Sequence, residues 1–305
     1  MEGLLGERSV MVAIATRDRP DGCRRVVDSV RRQQIDERVA LRMVVVDNAP
    51  LQKDLRLPTD VEVLHEPRAG IPHARNRAVE HALDLAEVLV FIDDDEEPAD
   101  AGWLRGLLDG LDIYDADMAT GPIRSLHDAA SPAWACAHPV FNRPRFASGT
   151  QRPVAYTGNL AIRTDVFRRL GDWFDPLLST TGGSDTEFTR RAVREGARIV
   201  WIDEAEVVEH VPAHRTTLRW ILRRSLRIGA NRIQRLRLEQ RGLGAYVIYG
   251  GGASAEVVGG TVTALLVLFV GRRRAVIGLG RAARGLGTWF ALVRGRGVEE
   301  YRTVR

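Results

Sequence analysis

Cysteine is scarce in this sequence, and its placement excludes two classes of protein. Only two of the 305 residues are cysteines, and Cys23 and Cys136 lie far apart, outside any CxxC or Cys/His cluster. A disulfide framework and a structural zinc site are therefore not expected. The opening MEGLLGERSV also lacks the basic leader and the apolar run of a secretory signal. We expect the main domain to stay in a reducing cytoplasm.

The composition is that of a globular protein with an uneven distribution of charge. Hydrophobic residues make up 45% of the chain, which allows a sizeable core and argues against disorder. The net charge is only +4, yet acids cluster between residues 84 and 117, whereas arginine dominates after residue 215. A basic end suits phosphate in nucleic acid, anionic lipid or a pyrophosphate-linked substrate, and charge alone does not choose among them.

The first 120 residues alternate between strand-like and helix-like segments. The runs SVMVAIA, LRMVVVD, VEVLH and VLVFI are apolar throughout, and helices are predicted near residues 22–34 and 72–85. Fully apolar strands are typical of a parallel sheet that is covered on both faces. We predict an α/β fold, with a mostly parallel sheet, helices on both faces and a site at the carboxyl ends of the strands.

Two later segments depart from this alternation. Residues 125–153 are rich in proline, aromatic and small residues, and they are too long for an ordinary connector, so a functional or mobile loop is expected. After residue 212 a basic amphipathic helix is predicted. Its apolar face would contain Leu218, Leu222, Leu226, Ile233 and Leu236. Residues 245–270, with Glu256 as their one charge, form either a buried or interfacial helical hairpin or a transmembrane span. We predict a first domain at 1–215 and a basic, membrane-leaning helical region at 216–305.

Three consecutive aspartates follow an apolar strand in VLVFIDDDEEP. Asp93, Asp94 and Asp95 repel one another, and such hard oxygen ligands favour Mg²⁺ or Mn²⁺, which also bridges substrate phosphates. The alternative is a solvated acidic turn. Asp47 ends another apolar strand, so a parallel sheet places it on the same edge. There it accepts hydrogen bonds from a nucleobase or ribose, or it forms an Asx turn.

Arginine and histidine residues supply further candidate groups. A helix that opens at GIPHARN presents Arg75 and Arg77 either to phosphates or to solvent. His210 and His214 follow a strand in EVVEHVPAHR, and either they complete a metal shell or they are ordinary core or surface groups.

The segment TTGGSDTEF combines a glycine turn with the start of a helix. Ser184 and Glu187 fit an S-x-x-E capping box, which would explain both residues structurally. Asp185 is not needed for the box, and at the helix start its carboxylate is suited to act as a general base on a hydroxyl group.

The order of these motifs resembles that of family 2 glycosyltransferases of the Rossmann-like GT-A fold. Within the family it is similar to the glucosyltransferases that extend succinoglycan-type bacterial exopolysaccharides. The matching segments cover roughly residues 9–232 and are VAIATRDRP, VVVDN, GIPHARNRAVE, FIDDDEEP, TGNLAIR, GGSDTEF and EHVPAHR. Where the family commonly has Glu-Asp at the last turn, this chain has Ser184-Asp185, which keeps the second acid but not the first.

The resemblance implies a metal-dependent inverting hexosyltransferase with Mn²⁺ or Mg²⁺ as cofactor. Asp185 would be the catalytic base, and Asp95 and His210 would bind the metal. The nucleotide-binding residues would be Thr16, Arg17, Arg19, Asp47, Arg75, Asp93 and Asp94, with Asp93 on the ribose. The donor or acceptor pocket would contain Trp134, Gly158, Asn159 and Ser184. Trp134, Phe141 and Phe146 would stack on a sugar ring or pack against the sheet edge.

The expected reaction moves a hexose from a nucleoside-diphosphate sugar, UDP-glucose or a similar UDP-sugar, to a polyprenyl-diphosphate-linked saccharide. The place would be the cytoplasmic face of the bacterial inner membrane, with the basic region on the membrane surface. Only Trp220 and Trp289 stand among the late arginines, so a nucleic-acid partner is not expected. Three alternatives stay open: a soluble acceptor, a glycoside hydrolase, which also uses two carboxylates, and a non-enzymatic membrane-binding adaptor.

Overall fold

The computed structural model describes residues 8–239 and 241–294, which divide into two compact units. The first unit contains the described residues up to 124 together with 144–179 and 184–209. The second contains 125–143, 180–183 and the described residues from 210 onward. The main boundary lies near the predicted one at 215, but two segments of the predicted first domain belong to the second unit.

A large sheet forms the centre of the first unit. The strands of the described residues are β1 (Arg8–Thr16), β2 (Val39–Asp47), β3 (Val61–His65), β4 (Val88–Asp93), β5 (Glu96–Pro98), β6 (Met118–Thr120), β7 (Ile123–His127), β8 (Gln151–Arg152), β9 (Asn159–Arg163), β10 (Ile199–Trp201) and β11 (Val207–Val211). Eight of them form the sheet in the order β3-β2-β1-β4-β9-β6-β10-β8. Only β8 and β9 run against the others, so the predicted mostly parallel sheet is confirmed.

Helices cover this sheet on both faces. The helices of the described residues are α1 (Pro20–Arg31), α2 (Ile71–Ala82), α3 (Trp103–Ile113), α4 (Ala133–Cys136), α5 (Thr164–Leu170), α6 (Ser184–Arg194), α7 (Leu218–Leu238), α8 (Leu243–Leu265) and α9 (Val267–Arg294). Along β1, Val10, Val12 and Ile14 pack with side chains of α1 and α3. Met11 and Ala13 point to the opposite face and pack with side chains of α2, α5 and α6. Because both faces are covered, neither needs a polar residue, which explains the continuous apolar runs.

The segment at 125–153 is more regular than its composition indicates. It contains the end of β7, the short helix α4 and the strand β8. Phe146 packs edge-on against Trp201 of β10, with the guanidinium of Arg152 3.5 Å above its ring. The alternative of packing at the sheet edge therefore holds for Phe146.

Three long helices, α7, α8 and α9, make up most of the second unit. Glycines allow their backbones to approach closely: a side chain at Gly229 of α7 would collide with the backbone of Arg284, and one at Gly260 of α8 would collide with that of Gly278. The break in α9 at Gly271, where φ is 75°, suits glycine because other residues rarely adopt positive φ. Within residues 8–239 and 241–294, none of the helices combines the length and the apolar character needed to cross a membrane.

The buried face of α7 differs from the predicted one. It runs through Ile221, Ser225, Gly229, Ile233 and Leu236, whereas Leu218 is exposed. Of these buried residues, only Ile233 and Leu236 belong to the predicted face. The small side chains are needed because α9 lies too close for leucine, and hydrophobic periodicity does not register small residues.

Candidate active site

The carboxyl ends of three neighbouring parallel strands bring the first candidate residues together. Thr16 at the end of β1 is in register with Asp47 of β2, and Ala15 of β1 is in register with Asp93 of β4. The prediction that Asp47 and the aspartate cluster share one edge of the sheet is confirmed. The three aspartates of the cluster, however, have different environments.

Asp94 points into the protein. Its carboxylate accepts hydrogen bonds from the hydroxyl of Thr16 at 2.8 Å and from Arg19 at 2.9 Å, and the residue is only 7% exposed. Burial raises the pKa of Asp94 to about 6, although Arg19 and Thr16 oppose the shift. These contacts hold the turn that follows β4, and the predicted part of Thr16, Arg19 and Asp94 in nucleotide binding remains a prediction.

Asp95 remains more accessible, with 22% of its side chain exposed. Arg19 bridges to it as well, with 3.1 Å between the guanidinium and the carboxylate. One arginine therefore holds both later members of the cluster. Arg17 follows the last residue of β1 and pairs with Asp18 at 3.9 Å.

Asp93 is held by Arg75. The guanidinium of Arg75 lies 3.3 Å from the carboxylate of Asp93 and 3.4 Å from the hydroxyl of Ser184, and the Arg75 side chain is only 8% exposed. Arg75 also lies over the ring of Phe174. A nearly buried cation thus links the acidic turn after β4 to the start of α6. The solvated alternative for Arg75 is excluded.

Asp185 lies close enough to Asp93 for their charges to interact. Burial raises the pKa of Asp93; Arg75 opposes that shift, and repulsion from Asp95 and Asp185 adds to it. The Asp93 side chain nevertheless keeps 38% exposure, so solvent screens part of the repulsion and a ligand has access to the carboxylate. Asp185 is half-buried at the start of α6, where one carboxylate oxygen accepts the backbone N–H of Thr186 at 2.7 Å.

The capping residues of α6 have other partners. The carboxylate of Glu187 pairs with Arg191 one turn later, at 3.0 Å, and the hydroxyl of Ser184 faces Arg75. Ser184 is therefore part of the site, through a contact that the sequence pattern did not indicate.

Asp47 forms the Asx turn that its sequence permits. Its two carboxylate oxygens accept the backbone N–H groups of Ala49 at 3.0 Å and of Lys53 at 2.9 Å, and the residue is 1% exposed. Lys53 in turn pairs with Asp18. Asp47 thus orders the loop at the end of β2, and contact with a nucleotide remains a prediction.

Gly158 and Asn159 have roles inside the protein core. A side chain at residue 158 would collide with the carboxylate of Glu96, a 3% exposed acid that sequence reasoning did not single out. Asn159 is fully buried. Its side chain accepts a hydrogen bond from Trp103 and donates to the carbonyls of Pro122 and Ala205. These bonds account for Asn159 without any substrate contact.

Trp134 and His210 lie in the second unit. Trp134 packs in a cluster with Phe141 and Trp220, and Arg272 lies 5.3 Å above its ring. Phe141 stacks on Trp220 with 5.5 Å between ring centroids. His210 is half-buried on β11. Their proposed roles, in a sugar pocket and as a metal ligand, remain predictions.

A divalent cation fits the acidic groups of the first unit. Among the described residues, no three His, Cys, Asp or Glu side chains form a group able to hold a metal by themselves. Mg²⁺ and Mn²⁺ in nucleotide sites usually take only one or two carboxylates and obtain their other ligands from phosphates and water. Asp95 supplies a hard oxygen donor, and its charge adds to that of Asp93 and Asp185. The residues present therefore suit a metal that arrives with a diphosphate.

We call the sheet edge with Asp47 and the aspartates at 93–95 the acidic edge. The strand order and the acidic edge define this chain as a GT-A-like α/β protein. The model of Glycosyl transferase family 2 matches residues 11–171, so the chain belongs to that family. It is 31% identical over 227 residues to the succinoglycan biosynthesis protein ExoM of Rhizobium meliloti (strain 1021), with 72% of each chain covered.

Solved structures share the fold at low sequence identity. The mannosyltransferase PcManGT from Pyrobaculum calidifontis, in complex with GDP-Man and Mn²⁺, has a TM-score of 0.58 at 17% identity, over 92% of this chain and 87% of that one. S. aureus TarS 1-349 in complex with UDP-GlcNAc has a TM-score of 0.52 at 14% identity, over 94% and 92%. GalNAc-T7 with UDP, GalNAc and Mn²⁺ has a TM-score of 0.54 at 16% identity, over 74% of this chain, which spans only 51% of GalNAc-T7.

Proposed function

We propose that this chain is an inverting glycosyltransferase of exopolysaccharide synthesis. It transfers a hexose from UDP-glucose or a similar UDP-sugar to a hydroxyl group of a polyprenyl-diphosphate-linked oligosaccharide, at the cytoplasmic face of the inner membrane. The likeness to a succinoglycan biosynthesis protein supports the pathway class. The UDP named for two structural neighbours supports the donor class.

One observation carries the proposal: Asp93, Asp95 and Asp185 share one electrostatic neighbourhood, with Arg75 as a nearly buried cation beside Asp93. Asp93 and Asp95 suit a cation that would offset the charge of the leaving diphosphate. Asp185, at the start of a helix, suits a base that accepts the proton of the nucleophile. When bound by Asp95, Mn²⁺ or Mg²⁺ would neutralise charge on the departing nucleoside diphosphate.

Asp185 acts as the base. One of its oxygens accepts the N–H of Thr186, which leaves the other oxygen to accept the proton of the acceptor hydroxyl. The acceptor oxygen bonds to the anomeric carbon as the bond from that carbon to the phosphate oxygen breaks, so the configuration inverts in one displacement. Arg75 is a positioning residue, because it holds both Asp93 and Ser184.

The nucleotide lies along the edge formed by β1, β2 and β4. In this arrangement Arg17 and Asp47 contact the nucleoside, and Asp93 contacts the ribose. Thr16, Arg19 and Asp94 act indirectly, because their mutual hydrogen bonds fix the turn.

The test measures transfer from radiolabelled UDP-glucose to a lipid-linked oligosaccharide, followed by NMR of the anomeric configuration of the product. Asp185→Asn should lower turnover by about 10²–10⁴, the usual contribution of a general base, and leave UDP affinity unchanged. Asp165→Asn is the matched control, since Asp165 is also the second residue of a helix and pairs with Arg168 on the surface. A product of retained configuration, or full activity of the Asp185 variant, would contradict the mechanism. Equal transfer to the same oligosaccharide without its lipid would assign a soluble acceptor.

A further inference from the structure

Helix α8 exposes bulky apolar side chains, whereas the residues that it buries are all small. The residues buried on α8 are Gly250, Ala253 and Gly260, which lie against α9. A helix on the surface of a soluble domain normally has the reverse arrangement. Small residues at the helix contacts and large apolar residues outside are typical of helices in an apolar surrounding.

Five exposed apolar side chains share one side of α8, in two groups with Gly251 and Ser254 between them. They are Leu243, Val247, Val258, Val262 and Leu265, which range from 49% to 84% exposed. They are separated by 4, 11, 4 and 3 residues, close to whole turns of about 3.6 residues, so all lie on one side of the helix. We call these five residues the exposed α8 face. The helix has 23 residues, so the five residues are spread along about 34 Å, and clusters of exposed large apolar side chains mark an interaction site.

The charges around this face favour an anionic partner. The second unit has seven arginines in α7 and six in α9, and Glu256 is the one acid within α7, α8 and α9. Arg272, Arg273 and Arg274 are exposed just beyond the carboxyl end of α8. A bare apolar face flanked by cations complements a bilayer of anionic lipids, because acyl chains take the apolar face and headgroups take the arginines.

A pocket between α7 and α8 is suited to one such headgroup. It measures about 420 Å³ and is lined by Arg232, Arg235, Ile248, Tyr249, Gly252 and Glu256. We call it the arginine pocket. Ile248, which is 74% exposed, forms part of its wall and gives it an apolar margin.

The guanidinium groups of the arginine pocket are held in place before any ligand arrives. Arg235 donates to the hydroxyl of Tyr249 at 2.9 Å and lies over the same ring. Arg232 and Arg284 both pair with Glu256 at 3.1 Å. Glu256 is thus shared by two arginines, and Arg235 adds a further guanidinium to the pocket lining, so positive charge is in excess. Fixed guanidinium donors favour phosphate oxygens.

We propose that the exposed α8 face lies in the surface of an anionic bilayer and that the arginine pocket binds the phosphate of a lipid headgroup. The inference rests on the proposed function, in which the acceptor is carried by a membrane lipid. It adds the surface by which the enzyme reaches that acceptor, and it assigns the pocket to bulk lipid.

The test is flotation of the full chain with two kinds of vesicle, phosphatidylcholine alone and phosphatidylcholine with about one third phosphatidylglycerol. The wild type should partition preferentially onto the anionic vesicles. Leu265→Glu should lower the partition coefficient about tenfold or more, since it removes an exposed leucine that the bilayer would bury. Arg235→Gln should lower it about fivefold on anionic vesicles alone, the usual effect of one arginine near such a surface.

Two matched controls lie in the first unit. Ile113 is 72% exposed, so Ile113→Glu places the same charge on an apolar surface position elsewhere. Arg42 is exposed on β2, so Arg42→Gln removes the same charge. Neither variant should change partition onto either vesicle.

Three results would overturn the proposal. The first is that the wild type does not float, and the second is that Leu265→Glu floats as the wild type does. The third is a dimer that forms without vesicles and that Leu265→Glu dissociates, because it would assign the exposed α8 face to a second copy of the chain. If the wild type does not float by itself but does so when a prenyl diphosphate is added, the arginine pocket is assigned to the acceptor in place of bulk lipid. UDP binding, measured on the same samples, separates the two proposals: vesicle binding without UDP binding would refute the proposed function alone, and the reverse would refute the membrane surface alone.

Discussion

Replacement of Asn159 by alanine should destabilise the first unit strongly. The substitution removes three hydrogen bonds in a fully buried position: Trp103 loses its acceptor at 2.9 Å, and the carbonyls of Pro122 and Ala205 lose donors at 3.1 and 2.7 Å. The Pro122 carbonyl keeps the backbone N–H of Val207 at 3.0 Å, so the Trp103 N–H and the Ala205 carbonyl are the groups left without a partner. At about 1–3 kcal/mol for each of these and about 1 kcal/mol for the third lost bond, the substitution costs on the order of 5 kcal/mol. That is a large part of the usual free energy of unfolding, about 5–15 kcal/mol.

The assay is thermal and urea denaturation followed by circular dichroism, with UDP affinity measured on the same samples. A loss of this size should lower the melting temperature by about 10–20 °C. Asn231→Ala is the matched control, because Asn231 donates one hydrogen bond to Thr181 at 3.1 Å and a weaker one to Gly182, so a loss of about 1 kcal/mol is expected. A normal melting temperature for Asn159→Ala, combined with weakened UDP binding, would refute the structural role and make Asn159 a ligand contact.

Three further perturbations test other parts of the structure. In the native protein a thiol reagent should label Cys136 alone, because burial raises the pKa of Cys23 to about 12; rapid labelling of a second thiol would contradict this. Burial lowers the pKa of His138, so the unfolded chain binds more protons below about pH 6.5 and the free energy of unfolding falls with falling pH. His138→Gln should weaken this dependence of the free energy of unfolding on pH, measured by urea titrations, and an unchanged dependence would show that His138 is not its source. Gly22→Ala would collide with the Asp94 carbonyl and should cost about 1–3 kcal/mol of stability, with weaker UDP binding; a neutral result would show that the acidic turn tolerates displacement.

The sheet could be predicted because each signal is local. An apolar run such as that of β1 predicts a strand that is covered on both faces. An acid at the end of β2 is predicted to lie at the edge where the carboxyl ends of the parallel strands meet. The helices predicted near 22–34 and 72–85 were likewise found as α1 and α2, within a few residues, and the helix start predicted in TTGGSDTEF was found as the start of α6. The short strands β6 and β8 and the helix α3 were not predicted.

The individual roles within the site were harder to predict because they depend on distant partners. Three adjacent aspartates look alike in sequence, yet Asp94 turns inward toward Thr16, 78 residues away. Asn159 is explained by Trp103, 56 residues away. The link from Arg75 to Ser184 spans 109 residues, and no spacing rule connects them.

The exposed α8 face could not be predicted from the sequence for a third reason. The apolar run from residue 245 could be recognised, but its hydropathy does not tell whether leucine or glycine points inward. The close approach of α8 to α9 determines that, since only small residues fit at Gly250, Ala253 and Gly260.

Calorimetric titration with UDP, GDP and dTDP, each with and without Mn²⁺, is the most direct test of the central claim that the acidic edge binds a nucleotide through a metal. The wild type should bind UDP tightly only when Mn²⁺ is present. Asp95→Ala should abolish the manganese dependence, whereas Asp165→Ala, at an exposed surface ion pair, should behave as the wild type. Failure of all three nucleotides to bind under either condition, or manganese-dependent binding that persists in Asp95→Ala, would contradict the account.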